Sequence, residues 1–201
     1  MEATSGTIFN PYLSNPTAIQ RQEFLLLALF VAGKSARVQQ RKLHWFLERL
    51  RQYVPPQGED LSPFYLMSSL QPETLRMRLE FCGIGQYNKM VKAITWLVEH
   101  YDTLDLSTCT RDELCQCPGI GMKSASFFLM NTRDTNDIAC LDTHVLKWMR
   151  NERGYLDAPA STPTSKKKYL EYEAYFLAEA AKARLSPREL DFSIWERYEK
   201  A

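Results

Sequence analysis

The sequence predicts an all-α protein, and three observations support that class. Apolar residues recur at the three-to-four-residue spacing of amphipathic helices along most of the chain. Helix-start signals precede several of these stripes, such as the capping box formed by Thr110 and Glu113 and the proline at Pro63. Signals for strands are weak everywhere, because long alternations of apolar and polar residues are missing from the sequence.

The N-terminal half of the chain contains five predicted helices. The first, residues 19–32, is apolar nearly all round, so we expect a buried central helix that ends at Gly33. The second follows from residue 35 to about 51, before a loop rich in proline and glycine. The other three are predicted to start at short turns, which are Ser62–Pro63, Gln71–Pro72 and Gly83–Ile84–Gly85.

The C-terminal half continues the helical pattern. A short helix is expected near Arg111, and a second helix from Met122 to about Asn131. Asp142 precedes a further apolar stripe, and residues 151–168 are predicted as a long exposed loop. The last two helices are predicted to begin at Lys166 and at a capping box, Ser186-Pro187-Arg188-Glu189.

Length and composition predict one domain, or two small lobes, that can bury a core. The 201 residues carry a net charge of +1, so a DNA-binding face would have to be a local patch. The apolar run 24–32 is too short to span a membrane, and the polar start of the chain does not read as a signal peptide. Five cysteines, an odd number, favour a reducing cytoplasmic setting.

No metal or other cofactor is expected. Cys109, Cys115 and Cys117 are close in sequence, but their spacing matches neither a zinc nor an iron–sulfur pattern. The three histidines do not cluster with acidic residues. His144 is expected to be structural.

The turn between residues 117 and 122 is the most informative stretch. It contains Pro118, Gly119 and Gly121, and it leads directly into a predicted helix. Two glycines allow a tight reversal and a close approach to backbone N–H groups, while a helix N-terminus favours anions. The pattern therefore predicts contact with an anion, such as a phosphate group of a nucleic acid, which would be bound without sequence specificity. The alternative is a plain packing corner that binds nothing.

Lys123 and Asp142 are the candidate catalytic residues. Lys123 lies in the first turn of its helix, where the helix dipole disfavours a cation and so favours the neutral, nucleophilic amine. Asp142 is a natural N-cap, which fixes its carboxylate where it could stabilise a cationic sugar or handle a proton. The alternatives are a lysine that only contacts phosphate and an aspartate that only caps a helix.

Two basic clusters are candidate DNA contacts. The first lies between residues 33 and 52, where cations outnumber the single acidic residue, Glu48, and it comprises Lys34, Arg37, Arg41, Lys42, Arg49 and Arg51. The second lies between residues 76 and 92, and it comprises Arg76, Arg78, Lys89 and Lys92. The alternative for each cluster is a solvated helix face.

The glycine turn, Lys123 and Asp142 together resemble the helix-hairpin-helix (HhH-GPD) DNA glycosylase superfamily. The resemblance implies a two-lobed helical fold with a DNA cleft between the lobes. Lobe one would span about 34–141 including the hairpin 110–131, and lobe two would combine the N-terminal helix with about 142–201. It also implies that Lys123 displaces a damaged base at C1′ with help from Asp142, and that the enzyme then cleaves the strand by β-elimination.

The same resemblance suggests further site residues. Flipping a base out of the duplex leaves a gap that a side chain can fill, and Lys34 or Ser35 lies where superfamily members place that residue. Arg37 is expected beside them as a DNA contact. The turn before Tyr87, Asn88 and Lys89 resembles the region that leads toward the base pocket, and Trp195 could stack on the base. Core packing is the alternative for each aromatic residue.

The end of the chain resembles one group within this superfamily. Residues 190–195, Leu-Asp-Phe-Ser-Ile-Trp, are similar to the tail of the compact Ogg2-type 8-oxoguanine glycosylase/lyases. The penultimate Lys200 departs from the terminal lysine of that group, and Thr143 resembles endonuclease III more. The resemblance favours excision of oxidised guanine. An enzyme for oxidised pyrimidines or for another modified base, and a non-catalytic hairpin module that binds DNA, are the alternatives.

The resemblance also implies the setting in which the protein works. It predicts a monomer that binds double-stranded DNA with a damaged base and does not bind a membrane. It would be cytoplasmic and associated with the nucleoid in a prokaryote, or nuclear in a eukaryote.

Overall fold

A computed structural model describes residues 15–53 and 61–199 of the chain. Within these ranges every regular element is a helix, which confirms the all-α prediction. The ten helices of the described chain are α1 (Ala18–Phe30), α2 (Ala36–Tyr53), α3 (Pro63–Ser68), α4 (Pro72–Phe81), α5 (Tyr87–Glu99), α6 (Arg111–Leu114), α7 (Met122–Thr132), α8 (Thr143–Glu152), α9 (Lys166–Ala183) and α10 (Pro187–Glu199).

The helix starts agree with the predicted signals. Thr110 caps α6 in a reciprocal capping box with Glu113, and Pro63 occupies the first turn of α3. At the start of α10, the Ser186 hydroxyl accepts from the Glu189 N–H at 3.2 Å, and the Glu189 carboxylate accepts from the Ser186 N–H at 2.8 Å. These bonds satisfy backbone donors that the first turn of a helix leaves without partners.

The chain forms two compact units, with the boundary between Ile120 and Gly121. In the first unit, α1 packs against α2 and α3, and α5 packs against α3 and α4. Residues 24–30 of α1 are all buried, which confirms the predicted buried helix. Gly33 has φ +70, a left-handed conformation that suits the sharp turn before α2. The predicted lobe boundaries stay a prediction.

The second unit contains α7 to α10. Its core includes Trp148, Tyr169 and Phe176, all fully buried, and α10 packs against α7, α8 and α9. Residues 151–168 were predicted as a long exposed loop. That is wrong at Ala158, which is buried, and at residues 151–152, which belong to α8. The Arg150 guanidinium donates to the Ala158 carbonyl at 3.0 Å, so this part of the loop is held against the core. No helix in the described ranges is long and apolar enough to cross a membrane.

Candidate active site

The backbone conformation of Gly119 favours glycine, and a neighbouring side chain lies close to this position. Its φ of +93 lies in the left-handed region, which L side chains rarely adopt. A Cβ on Gly119 would also lie 2.6 Å from Cε of Lys89, whose methylene groups pack over the turn. The turn therefore lies directly against the first turn of α5.

Neither feature applies to Gly121. It is the N-cap of α7 with extended backbone angles, φ −105 and ψ 179. Within the described chain, and apart from the adjacent residues, no atom lies within 4 Å of a Cβ added at this position. Gly121 also has no side chain that could cap the N–H groups of the first turn of α7. This helix start is therefore open to an anion that approaches the backbone closely.

Asp142 occupies the position that the sequence predicts, as the N-cap of α8. Its Oδ1 accepts from the backbone N–H of Val145 at 2.8 Å, and the residue is half-buried. The bond fixes the carboxylate at the helix N-terminus, where the helix dipole stabilises negative charge.

Lys123 lies in the first turn of α7 and is half-buried. Its backbone carbonyl is 3.8 Å from Sγ of Cys140, a buried residue two positions before Asp142. Burial raises the pKa of the Cys140 thiol well above its ordinary value. The negative charges of Asp191 and Asp142 also raise the pKa of this thiol, whereas the positive charge of Lys123 opposes the rise.

Asp191, in the first half of α10, belongs to the same site. Burial raises the pKa of the Asp191 carboxyl well above its ordinary value, the negative charge of Asp142 raises it further, and the positive charge of Lys123 opposes both effects. Arg188, one turn earlier in α10, holds this helix against the end of α7 by donating from Nε to the Met130 carbonyl at 2.7 Å. One lysine and two carboxylates therefore interact electrostatically within the second unit.

The segment before Asp142 is held by buried hydrogen bonds. The Tyr169 hydroxyl donates to the Ala139 carbonyl at 2.8 Å and accepts from the Leu141 N–H at 3.1 Å. The buried Glu173 carboxylate accepts from the Ala139 N–H at 2.9 Å, and the Thr162 hydroxyl donates to the Leu141 carbonyl at 2.8 Å. These bonds fix the backbone that delivers Asp142 to the site.

Replacing Tyr169 with phenylalanine is expected to lower the free energy of unfolding by about 1–3 kcal/mol, because it removes a partner from two buried backbone groups. Urea unfolding measures the change. The matched control is Tyr175→Phe in the same helix. The hydroxyl of Tyr175 makes a 3.2 Å bond to the Arg153 carbonyl in an exposed setting, so we expect a loss below about 0.5 kcal/mol. Equal losses in both variants would contradict a special role for Tyr169.

Replacing Asp191 with asparagine is expected to stabilise the fold at neutral pH. The raised pKa means that the folded state holds the proton more tightly than the unfolded state, whose aspartate titrates near pH 4. The stability of the native protein therefore falls as the pH rises from about 4 toward the raised pKa. The asparagine variant lacks this loss, so its advantage in urea unfolding should grow over that range.

Glu189 in the same helix provides a control of opposite sign. Hydrogen bonds from Ser186 lower the pKa of the Glu189 carboxyl, so its contribution to stability is present above the ordinary glutamate pKa and is lost as the pH falls through the lowered one. Glu189→Gln should therefore be less stable than the native protein at neutral pH, and this difference should shrink as the pH falls. A fall in stability at pH 7 for Asp191→Asn would contradict the assignment of its burial.

Lys34 and Lys42 contact the glycine turn at residues 83–85, in the first unit. The Lys34 ammonium donates to the Ile84 carbonyl at 2.7 Å, and the Lys42 ammonium donates to the Gly83 carbonyl. Burial lowers the pKa of Lys34, and the positive charges of Lys42 and Lys89 lower it further. Three lysines thus share one local positive field, and Lys89 connects it to the turn at Gly119.

The other predicted site residues lie at the starts of helices, except Trp195, which lies within α10. Ser35 and Arg37 are exposed at the start of α2, and Tyr87, half-buried, opens α5. Asn88 accepts a hydrogen bond from Arg76. Trp195 is half-buried in α10, where its ring stacks on Phe192 with centroids 6.3 Å apart. The roles given to these residues stay predictions.

The sequence did not single out four residues that build this site, namely Cys140, Tyr169, Glu173 and Asp191. A weak signal exists for three of them. Tyr169 and Glu173 are four residues apart, so they lie on the same face of a helix whose apolar stripe faces the core. Asp191 stands in a mostly apolar run, which is an unusual place for a carboxylate unless it is paired or functional.

Metal-ligating groups do not cluster within the residues that the structure describes. No three of their histidine, cysteine, aspartate and glutamate side chains are placed to hold an ion.

Comparison with known proteins identifies a family. The model of the 8-oxoguanine DNA glycosylase family matches residues 65–185, which include Lys123 and Asp142. An 8-oxoguanine DNA glycosylase/AP lyase of Methanocaldococcus jannaschii is 30% identical over 173 residues, which are 85% of this chain and 74% of that protein. A protein of the same name from Picrophilus torridus is 39% identical over 77 residues, 38% of this chain and 35% of its own length.

Solved structures share the fold. The crystal structure of the 8-oxoguanine DNA glycosylase of Thermotoga maritima matches with a TM-score of 0.67 at 24% identity, over 88% of this chain and 78% of that one. The M. jannaschii glycosylase/lyase, crystallised with a 15-mer DNA containing 8-oxoguanine, matches with a TM-score of 0.67 at 21% identity, over 91% of this chain and 82% of that one. At these identities the match speaks for the fold alone.

Proposed function

This chain belongs to the 8-oxoguanine DNA glycosylase family, and we propose that it excises 8-oxoguanine from duplex DNA and then cleaves the strand at the abasic site. The observation that carries the proposal is the shared environment of Lys123 and Asp142. The Cys140 thiol and the Asp191 carboxyl each interact with the charges of both residues. A nucleophile and a fixed carboxylate within one partly buried site are what covalent base excision needs.

Lys123 acts as the nucleophile in base excision. The target nucleotide is flipped out of the duplex, because C1′ cannot be attacked within the base stack. The lone pair of the neutral Lys123 amine forms a bond to C1′, and the C1′–N9 bond breaks with its electron pair leaving on the base. The start of α7 holds Lys123 half-buried in the same unit as Asp142.

Asp142 stabilises the sugar during base loss. Positive charge develops at C1′ and the ring oxygen as the base departs, and a carboxylate held in place lowers the energy of that state without reorganisation. The bond from the Val145 N–H holds the carboxylate, and Tyr169 and Glu173 hold the backbone before it. These two α9 residues act as positioning residues.

Strand cleavage follows from the covalent adduct. The C1′–O4′ bond opens to give a Schiff base between Lys123 and C1′. A base then removes a proton from C2′, and the C3′–O bond breaks so that the phosphate leaves. Asp142 and Asp191 are the carboxylates of this site that can exchange the protons of these steps.

Two surfaces near the glycine turns bind the DNA backbone. The open start of α7 takes one phosphate on its N–H groups. In the first unit, burial lowers the pKa of Lys34 and the charges of Lys42 and Lys89 lower it further, so a phosphate beside these three lysines would offset their mutual repulsion. Ser35 and Arg37, exposed at the start of α2, are further candidate contacts.

Substitution of the two hairpin glycines separates folding from DNA binding. Gly119→Ala is expected to lower the free energy of unfolding by about 1–3 kcal/mol, because it strains a left-handed position and collides with Lys89. Gly121→Ala is expected to cost about 0.5 kcal/mol while weakening DNA binding roughly threefold or more, because its Cβ occupies space that a phosphate needs. Urea unfolding and fluorescence anisotropy with a duplex measure the two effects. Unchanged DNA binding by Gly121→Ala would contradict the phosphate site.

Single-turnover excision on matched duplexes tests the proposed base. The duplexes carry 8-oxoguanine, an oxidised pyrimidine or undamaged guanine at one position, and strand cleavage is followed with and without hot alkali. We expect cleavage of the 8-oxoguanine strand without alkali. Preferential cleavage of the duplex with the oxidised pyrimidine would instead indicate a glycosylase for oxidised pyrimidines. Binding without cleavage of any strand would favour a non-catalytic hairpin module that binds DNA.

We further propose that the protein acts as a monomer on chromosomal DNA, in the nucleoid of a prokaryote or the nucleus of a eukaryote. One lysine and its carboxylates lie within a single unit of one chain, so the proposed chemistry needs no second copy.

A further inference from the structure

An aromatic and arginine-rich surface on α2 and α4 has no part in the proposed chemistry. It encloses a pocket of about 300 Å³ in the first unit. The lining includes Phe46, Arg49, Tyr53, Met77, Arg78 and Phe81. We refer to these six residues as the α2–α4 surface.

Large apolar side chains of this surface are unusually exposed. Met77 is 61% exposed, Phe81 is 60% exposed and Tyr53 is 57% exposed. The neighbouring Trp45 is 41% exposed, and its ring lies 5.2 Å from that of Phe81. Single exposed apolar residues are common, but a contiguous group beside a pocket is characteristic of binding surfaces.

Both arginines of the surface are held by stacking on aromatic rings. Cζ of Arg49 lies 4.5 Å from the ring centroid of Phe81 and 5.0 Å from that of Trp45. Cζ of Arg78 lies 4.8 Å from the ring centroid of Tyr53. Stacking fixes the guanidinium planes, so less side-chain freedom would be lost when their edges bind a ligand.

Neither guanidinium has an anionic partner among the described residues. The Nε–H groups of Arg49 and Arg78 are buried and donate to no hydrogen-bond acceptor among the described residues. No carboxylate of the described chain forms an ion pair with either side chain, whereas Arg51 and Arg76 on the same helices pair with glutamates. Within the described residues, two oriented cations beside an apolar pocket lack counter-charges, which is the arrangement of an incomplete site.

We propose that the α2–α4 surface binds a short acidic segment of another protein, with an apolar side chain in the pocket and neighbouring carboxylates on Arg49 and Arg78. Charge complementarity selects an acidic occupant, and the apolar lining selects a peptide that carries leucine, phenylalanine or a similar side chain next to the acids. Tyrosine, tryptophan, methionine and arginine, all present here, are also enriched at protein–protein interfaces. A DNA duplex offers phosphates for the arginines but no apolar side chain for the pocket.

A labelled peptide tests this proposal directly. The probe is a fluorescein-labelled ten-residue peptide that alternates aspartate or glutamate with leucine or phenylalanine. Its twin carries asparagine or glutamine in place of every acidic residue. Fluorescence anisotropy with the full chain should show saturable binding of the acidic peptide, and binding of the twin at least about tenfold weaker, because charge-assisted hydrogen bonds are lost.

Variants locate the peptide on the surface. The double variant Arg49→Gln/Arg78→Gln should bind the acidic peptide at least about tenfold more weakly. Met77→Ser should also bind it more weakly, because this change affects the apolar pocket and leaves both arginines in place. Arg41→Gln/Arg76→Gln removes the same charge from the same two helices outside the pocket and should bind the peptide like the native protein. Thermal unfolding of each variant verifies that the fold is retained.

The other possible occupants give distinct results. Equal binding of both peptides, equal binding by the Arg49/Arg78 variant, or no binding up to about 1 mM would overturn the proposal. A matching loss of affinity for an 8-oxoguanine duplex in the Arg49/Arg78 variant would make the surface a DNA contact instead. Light scattering that shows a dimer of the native protein but a monomer of that variant would assign the surface to a second copy of this chain.

Discussion

Replacing Lys123 with glutamine is expected to abolish base excision and strand cleavage while leaving DNA binding nearly unchanged. Glutamine has a similar length and no nucleophilic amine, so the covalent route is closed. We expect the single-turnover rate on an 8-oxoguanine duplex to fall by at least about 10⁴-fold, as for other enzymes that lose their nucleophile. Rapid-quench assays measure the rate, and anisotropy with the same duplex measures binding.

Lys147 provides the control for the loss of one positive charge. It is exposed on α8 in the same unit, where its ammonium lies 4.9 Å from the ring centroid of Tyr198. Lys147→Gln should excise the base at a rate within about twofold of the native protein. Excision by Lys123→Gln at a near-native rate would mean that water, and not this lysine, attacks C1′.

The second large effect is expected at Asp142, where two substitutions separate catalysis from helix capping. Asparagine is as good an N-cap as aspartate, so Asp142→Asn should keep the fold stable while excision falls by about 10²–10⁴-fold. Alanine loses both functions, so Asp142→Ala should show a similar kinetic loss together with about 0.5–2 kcal/mol lower stability. Urea unfolding and single-turnover kinetics on both variants measure the two effects.

Native excision rates in Asp142→Asn would contradict a catalytic carboxylate and leave Asp142 as a cap alone. Equal stability losses in both variants would instead mean that the negative charge, and not the hydrogen bond to Val145, stabilises the start of α8.

Local signals in the sequence were sufficient for the helices and for the positions of Lys123 and Asp142 at the starts of α7 and α8. The Thr110 and Glu113 capping box acts over three residues, and an N-cap at Asp142 acts on the turn that follows, so both can be predicted without the fold. The buried part of α1, residues 24–30, was equally predictable, because a segment that is apolar nearly all round has no face for solvent.

Long-range contacts could not be predicted in this way. Tyr169 binds backbone groups about 30 residues earlier, and Lys34 binds a carbonyl 50 residues later. Neither bond has a periodic trace, because its partner is a backbone carbonyl that every residue possesses. From the sequence, Asp191 is notable only as part of the segment 190–195. Its electrostatic role could not be predicted, because that role depends on the charges of Lys123 and Asp142, which belong to other helices.

The loop after α8 illustrates the same limit. Its prolines and polar residues predicted exposure, yet Arg150 and Tyr172 bond to the loop carbonyls at Ala158 and Asp157, and Ala158 is buried. Composition predicts that a segment lacks regular structure, but it does not predict whether side chains elsewhere will hold that segment against the core.

Borohydride trapping on an 8-oxoguanine duplex, followed by peptide mapping of the adduct, tests the central claim most directly. Reduction converts a Schiff base into a stable secondary amine, so the enzyme becomes covalently attached to DNA at the nucleophile. We expect a trapped complex whose DNA remnant lies on Lys123, and no complex with Lys123→Gln. An adduct on a different residue, or excision of the base without any trapped species, would contradict the account.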